Sequence, residues 1–298
     1  MKDLADLNYA LVGLGLMGGS IAKAIRDNVI SEPFCGGHIF ATDVNPAVLS
    51  SALSAAVLDR SFAPEDTDEM LAASDVVFVC LYPRTSLEFL IAHKAAFKPL
   101  SIVSDISGVK TQIFRRLDEI TRDAAFDFIV GHPMAGGEKE GFAASDGTVF
   151  RDRNYILMPT ATNTSENLTL FKQLVTLMGF SRVVETDFAT HDRKIGFTSQ
   201  LCHVIASALV DSAEDEHITE FGGGSFEDLT RIAMINSPLW TELFLSNREN
   251  LLAHISSFES SLDEIKSLIA NEDALGLQEY LRQVRARRVA MARIEVKA

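Results

Sequence analysis

The sequence predicts an α/β protein in two parts: a mostly parallel, helix-covered sheet, followed by an all-helical region. Three observations carry this. Short apolar runs alternate with helical periodicity from about Asn8 to Thr186, the rhythm of βαβ units. A set of closely spaced glycines follows the first apolar run and opens the first helical pattern. Beyond Asp187 the chain turns to long apolar-periodic helical stretches, broken at Gly222-Gly223-Gly224 and at Pro238. The expected parts are therefore residues 1–187 and 188–298.

Strands are expected at 9–12, 38–42, 75–80, 101–104, 128–130, 155–158 and 182–185. In the helical part, Ser225 with Asp228 three residues on resembles a capping box, and Ser237 stands as a cap before Pro238. No internal repeat or low-complexity segment interrupts the pattern.

Composition limits the partners. At 298 residues, with 47% hydrophobic and 23% charged side chains, the chain can enclose a sizeable core divided over two domains. A net charge of -14 repels phosphate backbones and anionic lipid, which argues against nucleic acid and membrane surfaces. An anionic substrate would need a locally positive pocket. Cys35, Cys80 and Cys202 form no CxxC pair, which fits a reducing compartment and no metal site. Asp3 and Asp6 lie where a signal peptide would be apolar, and no apolar run approaches transmembrane length. The cytoplasm is the expected location.

Gly13-Leu14-Gly15-Leu16-Met17-Gly18 follows the strand at 9–12 and opens a helix, the setting that a dinucleotide fingerprint requires. Gly13 permits the tight turn, Gly15 lets backbone approach a pyrophosphate, and Gly18 lets helix and sheet pack closely. Leu16 and Met17 then begin the helix whose N-terminus faces the phosphates. Asp43 ends the second strand, where a carboxylate accepts hydrogen bonds from ribose hydroxyls and repels a 2'-phosphate. The following Val44-Asn45-Pro46 supplies no cation for such a phosphate. These residues favour NAD, although a helix N-cap role for Asp43 or Asn45 is the competing reading.

Three further clusters stand out: Asp105-Ile106-Ser107-Gly108-Val109-Lys110, Gly131-His132-Pro133-Met134-Ala135-Gly136-Gly137-Glu138, and the helical stretches with His203 and Arg231. The first two are expected on loops at the carboxyl edge of the sheet, where ligands of open α/β sheets bind. An imidazole there can take a hydroxyl proton near neutrality. His132 therefore reads as a candidate base, with a structural loop histidine as the alternative.

The loop Gly131 to Gly136 with Glu138-Lys139 and Gly141 resembles the signature of prephenate and arogenate dehydrogenases. So do Asp105 to Lys110, the pair His191-Asp192, and Asp228-Leu229-Thr230-Arg231-Ile232-Ala233 followed by Trp240. The resemblance implies a Rossmann-like dinucleotide-binding domain, a helical domain forming most of a homodimer interface, and an active site between the domains. It casts His132 as the base on a substrate 4-hydroxyl and Arg231 as the fork for a ring carboxylate. His203 would line the substrate side chain, with Gly137, Glu138 and Trp240 also on the substrate side. The family's loop serine falls at Gly108, so Ser107 is expected to replace it in the reaction and to touch the cofactor; the alternative makes Ser107 a helix cap. Ser199-Gln200-Leu201-Cys202-His203 departs from the family pattern, which leaves Gln200 without an assigned contact. The competing readings are satisfied core or ion-pair roles for His203, Arg231 and Trp240.

The implied reaction is NAD-dependent oxidative decarboxylation of prephenate to 4-hydroxyphenylpyruvate, on the way to tyrosine. The alternatives are arogenate as substrate, a 3-hydroxyacid dehydrogenase, and an NAD-binding sensor without catalysis.

Overall fold

A computed structural model describes residues 3–31 and 35–292. The strands are β1 (Tyr9–Val12), β2 (Ile39–Thr42), β3 (Arg60–Phe62), β4 (Val76–Val79), β5 (Ile102–Asp105), β6 (Asp127–Phe128), β7 (Val130–Pro133), β8 (Asn154–Met158) and β9 (Arg182–Glu185). The first seven helices are α1 (Leu16–Asn28), α2 (Pro46–Ser54), α3 (Thr67–Ala73), α4 (Pro83–Ala92), α5 (Thr111–Arg115), α6 (Leu117–Thr121) and α7 (Ser165–Leu177). Six follow the last strand: α8 (Phe188–Ile195), α9 (Leu201–Asp211), α10 (Gly224–Thr230), α11 (Ser237–Ser246), α12 (Arg248–Ala270) and α13 (Ala274–Ala292).

The main sheet is entirely parallel in the order β3-β2-β1-β4-β5-β6. Every residue of β1, β4 and β5 is buried, as expected of strands covered on both faces. Alternate side chains serve opposite cores. Tyr9, Leu11, Phe78 and Ile102 join Ile21 and Ile25 of α1. Ala10, Val12, Val77, Val79 and Val103 join Met70, Leu71, Leu87 and Leu90 of α3 and α4. The strand order reverses between β1 and β4, so the carboxyl ends of these two strands form the crevice in which such sheets bind ligands.

The expected strand at 128–130 is two strands in different sheets. Phe128 ends β6 at the edge of the main sheet, and Val130 begins β7, which pairs antiparallel with β8. With β9, parallel to β8, these make a second sheet in the order β7-β8-β9. A run of apolar residues carries no mark of where a chain changes sheets, because both environments are buried. Gly131 allows the change: a Cβ there would lie 2.5 Å from the Tyr155 ring on β8. The three-residue β3 at the sheet edge was not foreseen, and Arg60-Ser61-Phe62 is too short to show a period.

Two helix starts also differ. The N-cap of α11 is Asn236, whose side chain accepts from Leu239 N at 2.9 Å, which puts Ser237 and Pro238 inside the first turn. The N-cap of α10 is Gly223, and Ser225 lies within the helix. Asn45, by contrast, does cap α2, accepting from Ala47 N.

Residues Met1–Arg248 form one compact unit and Glu249–Ala298 a second. The second unit holds the long helices α12 and α13, with Leu252, Leu262, Ile269 and Leu281 exposed. Among the described residues no helix is long and apolar enough to cross a membrane.

Candidate active site

The glycine turn is built as its spacing requires. Gly13 adopts φ +88°, and a Cβ there would meet the Cys80 carbonyl at 2.8 Å, so only glycine fits between β1 and β4. A Cβ on Gly18 would fall 2.1 Å from the Gly13 carbonyl, whereas one on Gly15 meets nothing within 4 Å. The chain is thus packed tightly behind the turn and open in front of it. Helix α1 starts from Gly15 without a side-chain cap and without an acid in its first turn, which leaves its amide donors suited to an anion. Leu16, Met17, Gly136, Gly137, Glu138 and Lys139 line one groove at this helix start. At the end of β2, Asp43 accepts from Leu14 N at 2.7 Å and from Asn45 N at 2.8 Å. The carboxylate is therefore fixed beside the glycine turn by two backbone bonds. These residues fit a dinucleotide: an open backbone cradle, an uncapped helix start and a placed acid.

His132 lies on β7 opposite Ile156, in a strand rather than the expected loop. A strand position fixes the ring better than a loop would. Its Nδ1 is 2.9 Å from His191 Nε2, and His191 Nδ1 is 2.7 Å from Asp192 Oδ1. The same Oδ1 accepts from Lys110 N at 2.9 Å, and the other oxygen, Oδ2, accepts from the Thr111 hydroxyl at 2.6 Å. Asp192 of α8 thus reaches the start of α5 and ties the helical region to the end of β5. The Nε2 edge of His132 faces Gly108, whose Cβ, if present, would be 3.7 Å away.

Lys110 and Asp105 are fully buried and joined at 3.0 Å. Lys110 Nζ also donates to the Asp105 carbonyl at 3.2 Å. Ser107 is bound into this pair: its hydroxyl donates to Asp105 Oδ2 at 2.7 Å, and its backbone N–H donates to the same carboxylate. It does not cap a helix, because α5 begins at Thr111 and its first groups bond to Asp192 instead. Burial, reinforced by the charges of His191 and Lys110, holds the His132 imidazole well below its ordinary pKa. Burial also lowers His191, against the pull of Asp192. Burial would raise Asp192, but the bonds from His191, Thr111 and Lys110 N outweigh it and leave the carboxyl below its usual range. The resting state is a neutral histidine pair on a carboxylate.

A second group gathers on the helical side. Arg231 pairs with Glu138, which reaches it from the loop after β7. The backbone N–H of Glu138 and then Arg231 hold its carboxyl below the usual range. His203 stacks on Trp240 with ring centroids 3.6 Å apart, and its Nδ1 is 2.9 Å from the Ser199 carbonyl. That bond assigns the proton to Nδ1 and leaves Nε2 as the acceptor. The next turn C-terminal to α8, Gly196–Gln200, is π-helical, a distortion common beside functional sites. Gln200 is buried and committed elsewhere: its amide donates to the Leu243 carbonyl and accepts from Asn247, both at 2.7 Å. It braces α9 against α11 and offers no free group.

Comparison with known proteins places the chain in a family. Residues 21–184 match the family model "Prephenate dehydrogenase, nucleotide-binding domain", and residues 187–283 match "Prephenate dehydrogenase, dimerization domain". The chain belongs to the prephenate dehydrogenase family. The prephenate dehydrogenase of Lactococcus lactis is 30% identical over 94% of this chain and 76% of its own length. That of Bacillus subtilis is 29% identical over 95% and 75%. The solved prephenate dehydrogenase of Aquifex aeolicus, crystallised with hydroxyphenyl propionate and NAD+, is 31% identical, with a TM-score of 0.84 over 97% of this chain and 100% of that one.

Family membership makes this an oxidoreductase whose residues 21–184 are the nucleotide-binding part. The structure brings Gly13, Gly15, Leu16, Met17, Gly18 and Asp43 to one sheet edge, and links Gly137 and Glu138 to that edge through the groove. It gathers Glu138, Arg231, His203 and Trp240 on the helical side. The residues for which the sequence supplied no role are Asp105, Lys110, His191 and Asp192. Their signal was the side-chain set D-x-x-x-x-K with H-D, a group of charges that burial alone turns into a site.

Proposed function

We propose that the enzyme oxidatively decarboxylates prephenate to 4-hydroxyphenylpyruvate with NAD, in the synthesis of tyrosine. The observation that carries this reading is the bare Nε2 of His132, beside Gly108 and one loop away from Glu138 and its partner Arg231. A base and a guanidinium so placed suit a ring that bears a hydroxyl and a carboxylate on opposite carbons. The Aquifex prephenate dehydrogenase crystallised with hydroxyphenyl propionate and NAD+ supports the same cofactor and substrate class.

His132 Nε2 takes the proton of the ring hydroxyl as that carbon gives up its hydride. NAD, when bound, accepts the hydride. The Arg231 fork holds the ring carboxylate, whose loss as carbon dioxide leaves its electron pair in the ring and restores aromaticity. His203 and Trp240 line the side-chain end of the substrate. Gly13, Gly15 and Gly18 with Leu16 and Met17 hold the pyrophosphate, and Asp43 takes the ribose hydroxyls. Ser107 supports the site through the Asp105–Lys110 pair and borders the cofactor from the end of β5.

Residues 188–298 supply the dimer interface, and the assembly is a cytoplasmic homodimer. Phe197, Val210, Phe221 and Leu229 are 52%, 45%, 89% and 56% exposed, an apolar surface that a subunit contact would cover. Light scattering at micromolar concentration should give the mass of two chains.

Initial rates with prephenate and arogenate, each with NAD and NADP, test the reading. The expected ranking is prephenate with NAD first. Preference for arogenate would change the substrate but keep the chemistry, and turnover of neither would reject the proposal.

Two variants address the binding residues. Asp43→Ser with Val44→Arg should raise NADP use, by removing a repulsive charge and adding a phosphate partner. Val44 is 89% exposed, so the arginine meets no packing constraint. Unchanged cofactor preference would take Asp43 out of the ribose site. Arg231→Gln should raise the prephenate KM by roughly 10- to 100-fold, the worth of a charged hydrogen bond, and leave NAD affinity alone. An equal loss of NAD affinity would make Arg231 structural.

A further inference from the structure

The bonds below His132 determine which of its nitrogens carries a proton. Asp192 is an acceptor at both oxygens, since it already receives Lys110 N and the Thr111 hydroxyl. Its 2.7 Å contact with His191 therefore requires the proton on His191 Nδ1. A neutral His191 then presents a lone pair at Nε2. The 2.9 Å contact with His132 Nδ1 must be donated by His132, and the Nε2 of His132 is left without hydrogen on the side of Gly108.

We infer that Asp192 and His191 are positioning residues that lock His132 into its Nδ1–H tautomer, so that its Nε2 can accept the substrate proton. The inference rests on the proposed role of His132 and deepens it. The opposite tautomer would point an N–H at the substrate hydroxyl and could accept nothing from it.

The same chain serves the reacting state. When the O–H bond breaks and an N–H bond forms at Nε2, His132 becomes an imidazolium whose Nδ1–H still faces His191 Nε2. His191 in turn still donates to the Asp192 carboxylate. The new charge is thus connected to a buried anion through one intervening ring, without a proton having to leave the chain. His191 and Asp192 are 1% and 3% exposed, so water does not compete for these bonds. Triads of this logic lose activity when the carboxylate becomes an amide, because an amide no longer selects a tautomer.

The test uses the full-length enzyme with its histidine nitrogens labelled with nitrogen-15. Imidazole nitrogen shifts at neutral pH should show His132 protonated at Nδ1 and bare at Nε2. In Asp192→Asn a population with Nε2–H should appear, with kcat lowered about 10²- to 10⁴-fold and prephenate KM changed less than about threefold. His191→Phe, which removes the acceptor but not Asp192, should lower kcat over the same range. Should Asp192→Asn fail to fold, the wild-type spectrum and His191→Phe still decide. Wild-type His132 protonated at Nε2, or variants with normal kcat, would overturn the inference. A correct tautomer in an enzyme that turns over neither prephenate nor arogenate would sink the proposed reaction and leave the locked tautomer standing.

Discussion

Replacing His132 by Asn should lower kcat by about 10²- to 10⁴-fold, the usual worth of a positioned general base, while NAD and prephenate still bind. Asparagine can accept a hydrogen bond at that position but cannot take a proton. The acid side of the wild-type pH profile belongs to the same test. Burial holds the imidazole well below pH 6.5, so the base is already neutral at pH 7. kcat/KM should stay level as pH falls through 6.5 and drop only below it. In His132→Asn that acid limb should vanish. A variant that keeps near-normal kcat would remove His132 from the chemistry.

The second large effect is expected at Lys110. Its ammonium is fully buried against Asp105, and both partners are completely excluded from solvent. Lys110→Met keeps the volume and strands the carboxylate, which should destabilise the protein by about 3–5 kcal/mol. For a chain of this length that corresponds to a fall in Tm of roughly 5–8 °C. Asp105→Asn introduced together with it should recover most of the loss, because no unpaired charge then stays buried. Thermal melts of the single and double variants check this. Equal Tm values for Lys110→Met and the wild type would mean that the pair contributes nothing.

Much of the nucleotide half was legible because its signals are local. The glycine spacing, the strand before it and Asp43 at the end of the next strand each follow from a few neighbouring residues, and the backbone at Gly13 and Gly18 admits no side chain. The change of sheet at Ile129 was not legible, since an apolar run reads the same on either side of it. The cap at Asn236 was missed for a similar reason: Asn236 and Ser237 are both capable N-caps, and only the Leu239 N bond selects one.

His132 was singled out from its motif as a candidate base, but its bonds to the residues around it were not foreseen. His132 and His191 are separated by 59 positions, and Lys110 and Asp192 by 82. No periodicity relates residues so far apart. Lysine and aspartate are ordinarily surface residues, so Lys110 and Asp105 gave no sign that they share a fully buried ion pair. Ser107 shows the same limit. Its place in the loop suggested a direct partner for the substrate, whereas its hydroxyl is bonded to Asp105 and the position facing His132 is Gly108.

The most direct test of the account is the stoichiometry of turnover with prephenate as the sole organic substrate and NAD as the sole oxidant. NADH, carbon dioxide and 4-hydroxyphenylpyruvate should form in equal amounts, because hydride loss and ring decarboxylation belong to one reaction. NADH without carbon dioxide, or no NADH from prephenate at any concentration, would contradict it.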